Sequence, residues 1–131
     1  MYNELKELLK NSYSPYSNKK FACIVETTRG NFYKGVNIEN ASFGATICAE
    51  RNAINAAVSN GEKEINTVYL INDSKDFFYP CSLCKQTFLE FLNEKTIFNI
   101  MNIDGEMKVY TLSEILNKNF SKDEMKWKAD S

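Results

Sequence analysis

Apolar residues recur along this chain with two different periods, and the changes of period mark its elements. Over 1–12, Leu5, Leu8 and Leu9 recur at helical spacing among acidic and basic residues, which predicts an amphipathic helix. The stretch 11–18 stops it, because Pro15 sits among Ser, Asn and Tyr. Residues 21–28 and 32–39 are rich in β-branched and aromatic side chains and predict a hairpin that turns at Gly30. From Ile47 the pattern becomes helical and Ala-rich, with Gly61 as its stop. The run 65–73 predicts a buried strand. Residues 77–84 lead into a second helix over about 81–92, with Phe88, Leu89, Phe91 and Leu92 as its apolar face. Two more strands, 95–103 and 106–112, flank an Asp104-Gly105 turn, and 113–120 forms a short helix and its exit.

The predicted order is α-β-β-α-β-α-β-β-α. Strands separated by helices predict an α/β domain with a mixed sheet between helix layers. At 131 residues, without repeats, low-complexity runs or a Pro/Gly-rich linker, 1–131 reads as one domain. Both cysteine motifs, around Cys48 and over Cys81–Cys84, fall at predicted helix starts that follow strands or loops.

Composition narrows the chemistry. A net charge of −1 provides no basic field for a nucleic-acid backbone. Apolar runs stay far below the ~18 residues that cross a bilayer, so no membrane partner is expected. The N-terminal MYNELKELLK lacks the apolar core of a signal peptide, which makes a cytoplasmic location the expectation. Four cysteines in that compartment are not a disulfide framework. The chain has no histidine, so Ser-His-Asp and Cys-His chemistry within it is excluded, and a zinc site must be built from Cys and carboxylates.

Cys81 and Cys84, after Pro80, are three residues apart at a helix start, where both can turn toward one ion. Alone, this pair reads equally as a redox couple or as two buried thiols. Cys48, at the start of the other helix, supplies a third thiolate and leaves a fourth zinc position open for water, as in catalytic sites. Cys23 lies mid-strand and reads as core. Glu50, two residues after Cys48, is either a partner of the helix dipole or a carboxylate beside the zinc-bound water, whose pKa falls toward ~7. Three thiolates around Zn²⁺ carry a charge of −1, which Arg51 can offset by donating to a ligand sulfur; the plain alternative is an exposed helix Arg.

Cys48-Ala49-Glu50-Arg51 with Pro80-Cys81-Ser82-Leu83-Cys84 resembles the cytidine deaminase family. The likeness extends to Tyr13-Ser14-Pro15-Tyr16-Ser17-Asn18, to Gly35 through Gly44, and to Phe120-Ser121 with Glu124, so that it covers roughly 11–125. The resemblance implies a three-layer α/β/α sandwich with a mixed five-stranded sheet. It implies one Zn²⁺ per subunit on Cys48, Cys81 and Cys84, with Glu50 as proton shuttle. It further implies attack at C4 of cytosine, pyrimidine salvage as the role, ribose binding by Asn37 and Glu39, a contact from the Ala49 N–H to the base carbonyl, and a homotetramer in which Phe120 reaches a neighbouring subunit's site.

One departure is prominent. Where the family places a Phe against the pyrimidine, this chain has Lys19. Three readings stand: Lys19 reaches into the site and changes the preferred nucleoside; Phe21, two residues on and so on the same strand face, stands in; or the lysine is solvent-exposed. Phe43, Ser82 and Lys85 are milder departures from the usual Tyr, Gly and Arg. The leading expectation is hydrolytic deamination of cytidine and 2′-deoxycytidine. A modified cytosine nucleoside or a blasticidin S-type antibiotic is the alternative substrate. A non-catalytic zinc domain and a nucleic-acid editing deaminase are the competing classes.

Overall fold

Strand β1 (Phe21–Thr27) is the strand around which the sheet is ordered in the computed structural model, which describes residues 1–118. It pairs antiparallel on one side with β2 (Phe32–Val36) and on the other with β3 (Ile65–Asn72). β3 pairs parallel with β4 (Ile97–Met101), which pairs antiparallel with β5 (Met107–Thr111), giving the order β2-β1-β3-β4-β5. Helices α2 (Ala49–Ser59), α3 (Ser82–Phe91) and α4 (Leu112–Leu116) cover one face, and α1 (Tyr2–Leu8) covers the other. This is the expected three-layer α/β/α sandwich with a mixed five-stranded sheet.

Alternation along β1 shows why both faces need a helix layer. Cys23 and Val25 point into the core under α2 and α3, while Ala22 and Ile24 point into the core under α1, with all four fully buried. Phe88 of α3 meets Phe98 of β4 at 5.1 Å between ring centroids in the larger core. The smaller core is closed by Leu5 and Leu9.

The predicted elements all form, with ends that differ for local reasons. The strand expected over 32–39 stops at Val36, where the chain leaves the sheet; Ile38 then bridges to Ile47 and to Tyr13 instead of continuing the ladder. The helix expected from Ile47 begins at Ala49, with Cys48 as its extended N-cap (ψ 155°). The next helix likewise begins after Cys81 (ψ 174°). Gly61 ends α2 as expected: its φ is +86°, and the Gly61 and Glu62 N–H groups donate to Val58 and Ala57, the 5→2 and 6→1 bonds of a Schellman cap. Buried Glu62 accepts from Thr27 Oγ1 (2.8 Å) and Asn31 Nδ2 (3.0 Å), which ties the β1–β2 hairpin to the end of α2.

Topology sets where a site can be. β2 and β3 both run antiparallel to β1, so β2, β3 and β4 are mutually parallel. α2 follows β2 and α3 follows β3, which puts both helix starts at the carboxyl ends of those strands. β1 begins at that same edge, since Phe21 pairs with Asn72 and Ala22 with Val36. Open α/β sheets bind ligands at such an edge.

Gly35 fixes the distance between α2 and the sheet. A Cβ there would lie 2.4 Å from Ala53 N and 2.5 Å from Ala49 O, inside the backbone of α2. Gly35→Ala is therefore expected to lower stability by about 2 kcal/mol or more, read as a shift in the urea midpoint, and to reduce zinc retention by displacing the start of α2.

Candidate active site

Cys48 caps α2 and Cys81 caps α3, while Cys84 lies one turn into α3 and is fully buried. Their Sγ atoms all lie within 4.8 Å of one another, with Cys48–Cys81 at 3.6 Å and Cys81–Cys84 at 3.5 Å. A tetrahedral ion with Zn–S bonds of ~2.3 Å needs sulfurs about 3.8 Å apart, so the trio fits a zinc ion. All four cysteines are free thiols, and Cys23 is buried mid-strand, as expected of core. Hydrogen bonding from Cys48 holds the Cys81 thiol well below the usual range, helped by the N–H groups at the start of α3. The same sharing pushes Cys48 and Cys84 up. A dication that takes all three as thiolates must therefore displace protons, and its affinity falls as the pH falls.

Glu50 lies beside this cluster on the first turn of α2 and is only 5% exposed. Burial pushes its carboxyl up to about 7. Arg51 donates through Nη2 to Thr46 O at 3.2 Å. Burial works against its charge, but hydrogen bonding to Cys48 and attraction to the three sulfurs outweigh that and raise its pKa.

A cavity of about 200 Å³ opens onto Cys48, Cys81 and Glu50. This is smaller than the ~300–1,000 Å³ of most ligand pockets and suits a ligand of nucleoside size or less. Asn37, Glu39 and Ala49 also line it, so the topology brings together the residues singled out from the sequence. Ala49 is the first residue of α2, and a backbone N–H there has no intrahelical partner. Phe120 lies outside the described residues.

Asn37 and Glu39 also hold the loop before β1. Asn37 Oδ1 accepts from Phe21 N–H and Ser12 Oγ, and its Nδ2 donates to Lys19 O at 2.9 Å. Glu39 Oε1 accepts from the N–H groups of Tyr16 and Ser17, each at 3.0 Å, and Oε2 accepts from Ser17 Oγ. Burial works against the Glu39 charge, but the bonds from Ser17 and Tyr16 outweigh it and lower the pKa.

Lys19 does not line the cavity. Its Nζ lies 5.4 Å from the centroid of the Phe78 ring and borders a neighbouring depression with Asp73 and Asp76. The reading in which Lys19 reaches into the site is not what the structure has. Phe21 does line the cavity, and so do Phe78 and Tyr79, which the sequence reading passed over as a lead-in to α3. Their position just before Pro80-Cys81 was the available signal.

Fold and site together define a zinc-binding α/β/α protein. The sequence model of the cytidine and deoxycytidylate deaminase zinc-binding region matches residues 1–100. A cytidine deaminase from Mycoplasma genitalium is 38% identical over 120 residues, covering 91% of this chain and 92% of the relative. The crystal structure of cytidine deaminase from Burkholderia pseudomallei aligns with a TM-score of 0.82 at 27% identity, covering 91% of this chain and 95% of that one. A blasticidin-S deaminase from Bacillus cereus is less similar, 25% identical over 107 residues. The chain belongs to the cytidine and deoxycytidylate deaminase family.

Burial of Glu50 has a stability consequence. Its folded pKa lies above the ordinary 4.5, so the folded chain keeps a proton that the unfolded chain loses. That contribution is complete below about 4.5 and is lost as pH rises through about 7. In zinc-stripped protein, Glu50→Gln is expected to be the more stable form above pH 7, by on the order of 2 kcal/mol, with the difference closing toward pH 4.5 in urea titrations.

Proposed function

We propose that this chain hydrolytically deaminates cytidine and 2′-deoxycytidine to the uridine nucleosides and ammonia, as a cytoplasmic enzyme of pyrimidine salvage. The observation that carries the reading is a buried carboxylate, Glu50, in the same small cavity as the sulfurs of Cys48 and Cys81. Free thiols suit the reducing cytoplasm. Among the described residues no helix is long and apolar enough to cross a membrane.

Cys48, Cys81 and Cys84 would hold one zinc ion per chain. Bound there, zinc supplies a water of lowered pKa for attack on an electrophilic carbon. Glu50 takes a proton from the attacking water and passes it to N3 as the C4–O bond forms; it then carries the remaining hydroxyl proton to the amine, so that the C4–N bond breaks, C4=O forms and ammonia departs. The Ala49 N–H donates to the base carbonyl. Arg51 offsets the negative charge of the thiolate set. Asn37 keeps a second Nδ2–H beyond the one given to Lys19 O. The Glu39 carboxylate keeps about one of its roughly four acceptor positions. Those spare groups suit ribose hydroxyls. The Glu39 charge disfavours a phosphate at the same place, which favours a free nucleoside over a nucleotide or a nucleic-acid strand.

Exposed apolar side chains extend the same reading to association. Phe43 is 82% exposed, and it shares a groove with Tyr16, 55% exposed, beside Glu39. Tyr13 and Ile38, 55% and 47% exposed, are bridged partners on the same segments. Large apolar side chains concentrated at a site's mouth mark an interface. We assign them to a homotetramer with shared sites.

Zinc-loaded Glu50→Gln is expected to keep its metal and fold while cytidine turnover, followed by the fall in cytosine absorbance, drops at least ~10³-fold. Turnover at the parental rate would end the proposal. Cys48→Ala and Cys84→Ala should lose zinc by elemental analysis, whereas Cys23→Ala should retain about one per chain. Phe43→Arg is expected to shift the sedimentation mass from tetramer toward smaller species.

A further inference from the structure

We infer that Phe21 and Phe78 form the slot that holds the pyrimidine ring, with Lys19 bracing Phe78 from outside the cavity. This rests on the nucleoside reading above and specifies its substrate contacts. Both rings line the cavity that reaches Cys48, Cys81 and Glu50, and both remain partly exposed. They meet edge to face, with centroids 5.8 Å apart and planes at 83°. Two rings at right angles make a corner, so a flat ligand can stack on one ring while its edge meets the other. A sugar or a peptide needs no such corner; an aromatic base does.

The backbone explains why Phe21 takes this place. β1 begins where β2 and β3 end, so its first residue faces the site. Phe21 shares a sheet face with Cys23 and Val25, the face covered by α2 and α3. Its N–H is held by Asn37 Oδ1 at 2.9 Å, which fixes the ring's starting point on the cavity wall.

Lys19 is turned away by the chain before it. Asn18 has a left-handed φ of +57°, and the N–H and carbonyl of Lys19 are bonded to Ser17 Oγ (3.1 Å) and Asn37 Nδ2 (2.9 Å). The side chain leaves this pinned backbone toward the outer side of Phe78, where its ammonium lies 5.4 Å from the ring centroid. The Lys19 cation therefore positions a ring and does not read the substrate's charge.

The test separates binding from turnover. Dissociation constants for cytidine are measured by calorimetry on zinc-loaded chain carrying Glu50→Gln, alone and with each further change. KM and kcat are measured in the parental background. Base–aromatic stacking predicts that Phe21→Leu and Phe78→Leu each weaken cytidine binding about tenfold or more and raise KM similarly, with kcat within about threefold. Phe21→Tyr should retain most of the affinity. Lys19→Met should weaken binding two- to fivefold and leave the ratio of cytidine to cytidine 5′-monophosphate affinity unchanged. Zinc content and near-UV circular dichroism establish that each variant is folded. Unchanged affinity in folded Phe21→Leu and Phe78→Leu would overturn the slot. A changed nucleoside-to-monophosphate ratio in Lys19→Met would overturn the bracing role. A parent chain that binds cytidine but does not turn it over would sink the catalytic reading and leave the slot to be judged by the affinities; a parent that does not bind cytidine would sink both.

Discussion

Helix α2 lies directly on β2 because residue 35 has no side chain. With backbone atoms of Ala49 and Ala53 occupying the place of a Cβ, the helix cannot shift outward without opening the core. That contact sets the height of the first turn of α2, which carries Cys48, Ala49, Glu50 and Arg51. Buried Ala49, Ala53 and Ala57 extend the same close packing along the helix. The other wall, the start of α3, is held by Phe88 and Leu92 in the same core. The Cys48–Cys81 spacing of 3.6 Å follows from two helices that leave the parallel strands on either side of β1, while the 3.5 Å between Cys81 and Cys84 is set within the first turn of α3.

Bringing those groups together is unfavourable without a cation. Three thiols and a carboxyl share a region where desolvation penalises every negative charge. The two helix starts offset part of this, and so does Arg51. A zinc ion offsets far more, so the site is a place where the fold gives up stability until metal arrives. Glu50 shows the same strain: without metal, burial raises its carboxyl to about 7.

The fold and the metal trio were legible in the sequence because their signals are local or subtractive. Helical spacing, strand-type composition and turn residues marked all five strands and all four α-helices of the described chain, but not the short 3-10 turn at Phe43–Ala45. The absence of histidine left Cys48, Cys81 and Cys84 as the ligand set once the family resemblance was in view. The cavity walls were less legible. Phe78 and Tyr79 belong to no periodic element, and nothing in their spacing says that edge-to-face contacts, Phe78 with Phe21 and Tyr79 with Tyr110, hold them beside the site. The stop of β2 at Val36 was missed for a related reason: Asn37 through Glu39 keep the strand's alternation while their backbone turns to bridge Tyr13 and Ile47. The direction of Lys19 depends on a left-handed Asn18, which composition does not reveal.

That turn at 37–39 joins the sheet to the wall of the cavity. Asn37 spends three hydrogen bonds, and Glu39 three more, on residues 12–21. The loop so held delivers Phe21 to the cavity and Lys19 to the back of Phe78. A residue pair suited to sugar hydroxyls thus also fixes the wall that faces the base. The wall is in place before any ligand binds, so less ordering is left to offset at binding. On the nucleoside reading proposed above, replacing either residue loosens both ends of the nucleoside at once, and its effect on affinity exceeds the loss of a single ribose hydrogen bond.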